Sequence, residues 1–310
     1  MESIVLKDST GNSVARILPG FGFNLYSLEI CGQEILWSAS EFHRGTARAS
    51  GSGIPILYPF PGRLPGKTLR WKGREYEMDC DDGAGNAIHG FVLDRKWRVV
   101  DQQESKVTGE FHASIDAPEL LTQWPGDFRI QCQYELHSKG LSATYTLDNP
   151  GEKSLPCGLG THPYFRVPVG GEMVDDCILK VPVQRHWVLE EMLTTGEQRD
   201  ANPVFADGVP LDGLVLDDVF SGVVFDAGIA VSAIEDPNSG QRLTFQWDEA
   251  CRCCVVYIPP HREAICIEPY SLVPGGYAFD PSAEDGGLMV LEPGERTQHC
   301  MGIELDDRRE

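Results

Sequence analysis

No stretch of this 310-residue chain sustains the 3.6-residue apolar period of a helix. Short runs with alternating, β-branched or aromatic content take its place. Turn signals separate them, among them Cys31-Gly32, Lys72-Gly73, Ser138-Lys139-Gly140 and Asp236-Pro237-Asn238-Ser239-Gly240. Within residues 130–136, Ile130, Cys132, Tyr134 and Leu136 alternate with Gln131, Gln133 and Glu135, the pattern of a half-buried strand. Lys139-Gly140 then turns the chain into 141–147, which predicts a hairpin. Further strands are expected at 13–18, 25–30, 97–100, 177–183, 242–247 and 254–258, and one brief helical piece at 117–122. Many short strands at this spacing imply an all-β fold, a sandwich or a barrel. No low-complexity linker and no repeat of fixed period divides the chain, so a single domain over 1–310 is expected, with a charged end at 302–310 that frays.

Apolar residues make up 41%, enough for a substantial core. The formal net charge of −21 argues against nucleic acid or an anionic membrane as partner, since both need a cationic face. Ten cysteines are scattered along the chain, many in apolar runs where Cys serves as a small buried hydrophobe. Cys251, Cys253 and Cys254 cluster, but no second Cys-x-x-Cys or spaced His pair accompanies them, so no metal is expected. The N-terminus has no basic segment leading into an apolar one, and no apolar run approaches bilayer length. A soluble cytoplasmic protein is expected.

Two stretches carry the chemistry. Residues 53–63 form an apolar run broken by Pro55, Pro59 and Pro61 and ending on Gly62-Arg63, a rigid irregular segment rather than a central strand. Its sequel, Asn86-Ala87-Ile88-His89-Gly90-Phe91, sets His89 between a polar turn and an apolar run. Thr161-His162-Pro163-Tyr164-Phe165 and Ile267-Glu268-Pro269-Tyr270 look built in the same way. His162 is either a loop histidine bonded to backbone or an acid with restricted freedom and a pKa near the operating pH. Glu268 ends an apolar run, where a carboxylate is expensive unless paired or catalytic. It reads equally as an ion-pair partner for Arg63 or Arg262 and as a general base raised by desolvation. Arg63 divides between structural ion pair and hydroxyl donor. Asp217 and Asp218 divide between turn chemistry and hydrogen bonds to a polyol. Asp81-Asp82 reads as a solvated turn. No G-x-S-x-G elbow, P-loop or G-x-G-x-x-G is present.

The order Pro59-Phe60-Pro61-Gly62-Arg63, then Asn86 to Phe91, then Thr161 to Phe165, then Leu216-Asp217-Asp218-Val219-Phe220, then an apolar strand ending in Glu268, resembles the aldose 1-epimerases (galactose mutarotases). The resemblance spans most of the chain. It implies a single-domain antiparallel β super-sandwich with an open sugar cleft, and interconversion of the α and β anomers of a free aldose without a cofactor. It implies Glu268 as general base on the C1 hydroxyl, His162 as general acid on the ring oxygen, and His89 as a second histidine on the sugar. Arg63, Asn86 and Asp217 would bind sugar hydroxyls, with Asp218 as the alternative to Asp217. Tyr164, Phe60 or Trp124 are expected to stack on the sugar face. Gly62 stands where the family often has Asn. Relatives that act on hexose 6-phosphates leave a phosphate role open for Arg44, Arg95 or Arg166. A non-catalytic carbohydrate-binding protein on the same fold is the alternative function.

Overall fold

The computed structural model describes residues 1–278 and 286–307. Two large antiparallel sheets dominate. One has nine strands, running from Arg98–Gln102 through Lys106–His112, Arg129–His137, Gly140–Asp148, Arg296–Asp307, Gln241–Asp248, Ile229–Glu235 and Ile178–Lys180 to Val209–Pro210. The other has eight, ordered Leu193–Asp200, Arg185–Glu190, Asp217–Ser221, Cys253–Tyr257, Ala264–Tyr270, Gly160–Thr161 and Ile56–Leu57, with Tyr164–Arg166 also paired to Ala264–Tyr270. The sheets meet face to face. Phe165 of one lies 5.1 Å from Phe245 of the other, ring centre to ring centre, and Thr161 reaches Met301. The fold is the expected antiparallel sandwich. Among the described residues helix is confined to short turns, among them Ala113–Asp116 and Pro118–Thr122.

The predicted hairpin forms with Ile130 opposite Leu147 and His137 opposite Gly140. One expectation is overturned. Residues 302–307 do not fray; they complete the strand Arg296–Asp307, which lies between Gly140–Asp148 and Gln241–Asp248 near the middle of the nine-stranded sheet. His299, Met301, Ile303 and Leu305 are buried while Glu304 and Asp306 face water, so the charges mark one face of a strand rather than a tail. Residues 308–310 lie outside the described residues.

Period-two alternation in the eight-stranded sheet divides structure from site. Cys254, Val256, Ile265 and Ile267 point into the main core. Their neighbours Val255, Tyr257, Glu268 and Tyr270 point the other way and line a cleft. The cysteine cluster obeys the same rule: Cys254 joins the main core and Cys253 the opposite face. All ten cysteines are free. Among the described residues no helix is long and apolar enough to cross a membrane.

Candidate active site

The cleft has a volume of about 190 Å³. Glu268 lies at its floor, 2% exposed, on a strand buried along its whole length. Neither expected ion-pair partner reaches it: Arg63 pairs with Asp82 and Arg262 with Asp175. Instead the Tyr270 hydroxyl donates to Glu268 Oε2 at 2.6 Å, and His162 Nε2 lies 3.3 Å from Oε1. Burial pushes the Glu268 carboxyl well above its ordinary value; the Tyr270 hydrogen bond opposes the shift and the Asp217 charge adds to it.

His162 is held by its backbone, whose N–H donates to Pro55 O at 3.1 Å, and by its ring, which stacks on Tyr164 at 4.7 Å with a 2° interplanar angle. Tyr164 is itself fixed by a 3.0 Å hydrogen bond to Ser50 O. Burial, opposed by a backbone hydrogen bond and aided by the Arg48 charge, lowers the His162 pKa to about 3. Its Nδ1 has no partner among the described residues, so protonation is decided at Nε2, opposite Glu268.

His89 sits in a left-handed conformation (φ 63°) beside Gly90 (φ 71°), where a Cβ would meet Tyr58 O at 2.2 Å. Its N–H donates to Gly62 O, and the Gly62 N–H donates to His89 Nδ1 at 3.3 Å. Nδ1 is therefore an acceptor. Burial, then the charges of His162, Arg48 and Arg63, hold the ring well below its ordinary pKa, so the neutral imidazole carries its proton on Nε2. This makes His89 a hydrogen-bond donor on the cleft wall.

Arg63 lines the cleft while its Nε donates to Asp82 Oδ2 at 2.9 Å. Asp82 is no solvated turn residue. Its side chain is 3% exposed and accepts from the backbone N–H groups of Ala84 and Asn86 and from the Asn86 amide at 3.1 Å. Burial opposes ionisation, but these bonds hold Asp82 well below the usual carboxylate range. Asn86 itself does not line the cleft; it supports the carboxylate that supports Arg63. Asp217 lines the cleft, and burial raises its pKa against the pull of Arg63. Asp218, one residue on, faces away and pairs with His186 Nε2 at 3.0 Å.

Among the lining residues to which the sequence reading gave no role in the site are Arg48, Met192, Tyr257 and Tyr270. Tyr270 and Tyr257 had a signal, since both share a face with cleft residues by period two. Arg48 lies in a loop of small residues and had none. His162, Cys266 and Glu268 present nitrogen, sulfur and oxygen donors within 4.8 Å of one another.

An acid and a base held side by side, flanked by a neutral donor, a guanidinium and a carboxylate, suit proton transfer on a polyhydroxy ligand. A model of the aldose 1-epimerase family matches residues 2–304. The chain belongs to the aldose 1-epimerase family. The Escherichia coli K12 protein YphB, described as uncharacterized, is 23% identical over 265 residues, covering 81% of this chain and 82% of that protein. A galactose mutarotase-like protein from Clostridium acetobutylicum shares the fold with a TM-score of 0.87 at 23% identity, covering 96% of this chain and 93% of that one. A GalM/aldose epimerase homologue from C. elegans does so with a TM-score of 0.81 at 18% identity, covering 99% of each.

Against this family frame several expectations change. Phe60 and Trp124 do not face a sugar; they stack on each other at 5.6 Å inside the core. Tyr164 lines the cleft but gives a ring face to His162. Arg44 pairs with Glu41, Arg95 with Glu119, and none of Arg44, Arg95 and Arg166 lines the cleft; Arg48 does. Gly62, the departure from the family's Asn, has φ 66°, and a Cβ there would meet Pro274 at 2.7 Å. Its backbone rather than a side chain orients His89.

Proposed function

We propose that this chain is an aldose 1-epimerase that interconverts the α and β anomers of a free hexose by acid/base ring opening and closure. One observation carries the reading: His162 Nε2 and Glu268 Oε1 face each other at 3.3 Å inside a cleft of monosaccharide size. O1 and O5 of a pyranose are bonded to the same carbon, so they lie close enough together for one to meet each group. The cleft is smaller than the roughly 300 Å³ at which sites for larger ligands begin.

Ring opening removes a proton from the C1 hydroxyl and delivers one to O5 as the C1–O5 bond breaks. Glu268 takes the first and His162 gives the second. The open aldehyde turns about C1–C2 and closes on its other face with the roles reversed. The pair needs a total of one proton. Burial favours the neutral form, with that proton on Glu268; transfer from Oε1 to Nε2 produces the carboxylate and imidazolium without exchange with water. His89 donates to the ring oxygen or a neighbouring hydroxyl, while Arg63 and Asp217 hold hydroxyls on the far side.

The test is the optical rotation of freshly dissolved α-D-glucose and α-D-galactose. Wild type is expected to accelerate its decay, and Glu268→Gln and His162→Asn to lower kcat by about 10²–10⁴-fold. Wild-type protein that binds either sugar without accelerating exchange would instead identify a carbohydrate-binding protein.

A further inference from the structure

The larger volume lies beside the chemistry rather than at it. A groove of about 410 Å³ adjoins the cleft along Arg48, Ser50, Ile88 and His89 and continues between Asp79 and Asp94 over the backbone of Gly90. The acid/base reading gives this groove a place on the substrate. With O1 at Glu268 and O5 at His162, C5, bonded to O5, lies on the His162 side of the sugar, where the His89 ring centre is 5.9 Å from that of His162. The C5 side arm therefore points across the shared wall into the groove.

Charge selects what the groove accepts. Its Asp81 is taken by Lys67 and its Arg95 by Glu119. Asp79 and Asp94 pair with no cation among the described residues, which leaves two carboxylates against the guanidinium of Arg48. A phosphate on O6 would meet net negative charge. A neutral polyol would find carboxylates that accept its hydroxyl protons and a guanidinium that donates to its oxygens.

We propose that the groove is a second sugar subsite and that the preferred substrates are reducing disaccharides substituted on O6 of the reacting hexose. This rests on the epimerase reading of the cleft. Anomer exchange, measured by two-dimensional exchange NMR of the anomeric protons, separates the outcomes. Isomaltose and melibiose, both 6-linked, are expected to exchange with a kcat/KM about tenfold above maltose, which is 4-linked, and above glucose 6-phosphate. The double variant Asp79→Asn, Asp94→Asn is expected to lose about tenfold on isomaltose and nothing on glucose. Equal rates for 4- and 6-linked sugars, a preference for glucose 6-phosphate, or a variant that behaves as wild type would overturn the subsite. Calorimetry on Glu268→Gln protects the test from failure of the catalytic reading. The subsite requires isomaltose to bind it more tightly than glucose even where no turnover occurs; equal affinities reject it.

Discussion

Burial dominates the behaviour of Glu268, and one neighbour opposes it. A carboxylate at 2% exposure stays protonated unless something favours its charge, and the Tyr270 hydroxyl at 2.6 Å is the group that does so. It occupies Oε2 and leaves Oε1 to His162, so it also fixes which oxygen is available for the proposed proton transfer. Tyr270→Phe removes one hydrogen bond to a charged group, typically about 1.5–3 kcal/mol, and a loss in kcat of tenfold or more is expected with KM little changed. A role in packing alone would not move the pH profile; a role on the carboxylate moves it in a defined direction. The proposed mechanism requires one proton on the His162–Glu268 pair. The acid limb, where His162 gains a second proton, lies below the ordinary histidine value of 6.5, and the alkaline limb follows Glu268, above 4.5. Without Tyr270 the carboxyl rises further, so the alkaline limb moves to higher pH. An unchanged profile in Tyr270→Phe would remove Tyr270 from the chemistry.

The elements that hold these residues were legible in proportion to how strongly one face is buried. The hairpin Arg129–His137 and Gly140–Asp148 alternates cleanly because one face packs on the core and the other meets water. The hairpin Arg185–Glu190 and Leu193–Asp200 left no such pattern. It lies at the sheet edge, is mostly half-exposed, and turns through Glu191 (φ 51°) and Met192 (φ 64°), where the sequence offers neither Gly nor Asn. The site's ionisable groups could be read because Pro or Gly follows His162, Glu268 and His89. What the motifs could not convey is direction, since a one-residue difference reverses the face, as Asp217 and Asp218 demonstrate. The C-terminal strand shows the converse, charges that suggest a tail on an element paired on both sides. Deleting residues 302–310 therefore exposes ladder groups of two neighbouring strands and removes Ile303 and Leu305 from the core. Loss of cooperative thermal unfolding is expected by circular dichroism, and a truncated protein that melts like the full chain would contradict that placement. Gly62→Ala tests the other end of the site. Its left-handed φ and the 2.7 Å approach to Pro274 predict lower stability together with weaker exchange activity, because the backbone shift that relieves the contact moves the residue-62 N–H away from His89 Nδ1, whose tautomer it sets.

For the whole molecule, burying ionisable groups in the cleft carries a cost in stability that depends on pH. In the unfolded chain Glu268 ionises near 4.5, whereas in the fold it keeps its proton to higher pH. Between those values the native state binds more protons than the unfolded one, so stability falls as pH rises. His162 and His89 act in the opposite direction. Unfolded, they gain protons below about 6.5; folded, they do so only at much lower pH, His162 near 3, so stability falls as pH drops below 6.5. Glu268→Gln removes the first effect and leaves the second. The amide keeps the size of the protonated carboxyl, so variant and wild type should melt together near pH 4. As pH rises the variant should become progressively more stable, because every unit by which the fold raises Glu268 costs wild type about 1.4 kcal/mol. For a chain of this size that corresponds to a Tm advantage of at least about 3 °C at pH 8 by scanning calorimetry. The same substitution is expected to lower kcat by about 10²–10⁴-fold, so stability and activity should move in opposite directions at one residue. A variant no more stable at pH 8 than at pH 4, relative to wild type, would mean that Glu268 ionises normally in its buried place, and the acid/base division built on its raised pKa would have to be abandoned.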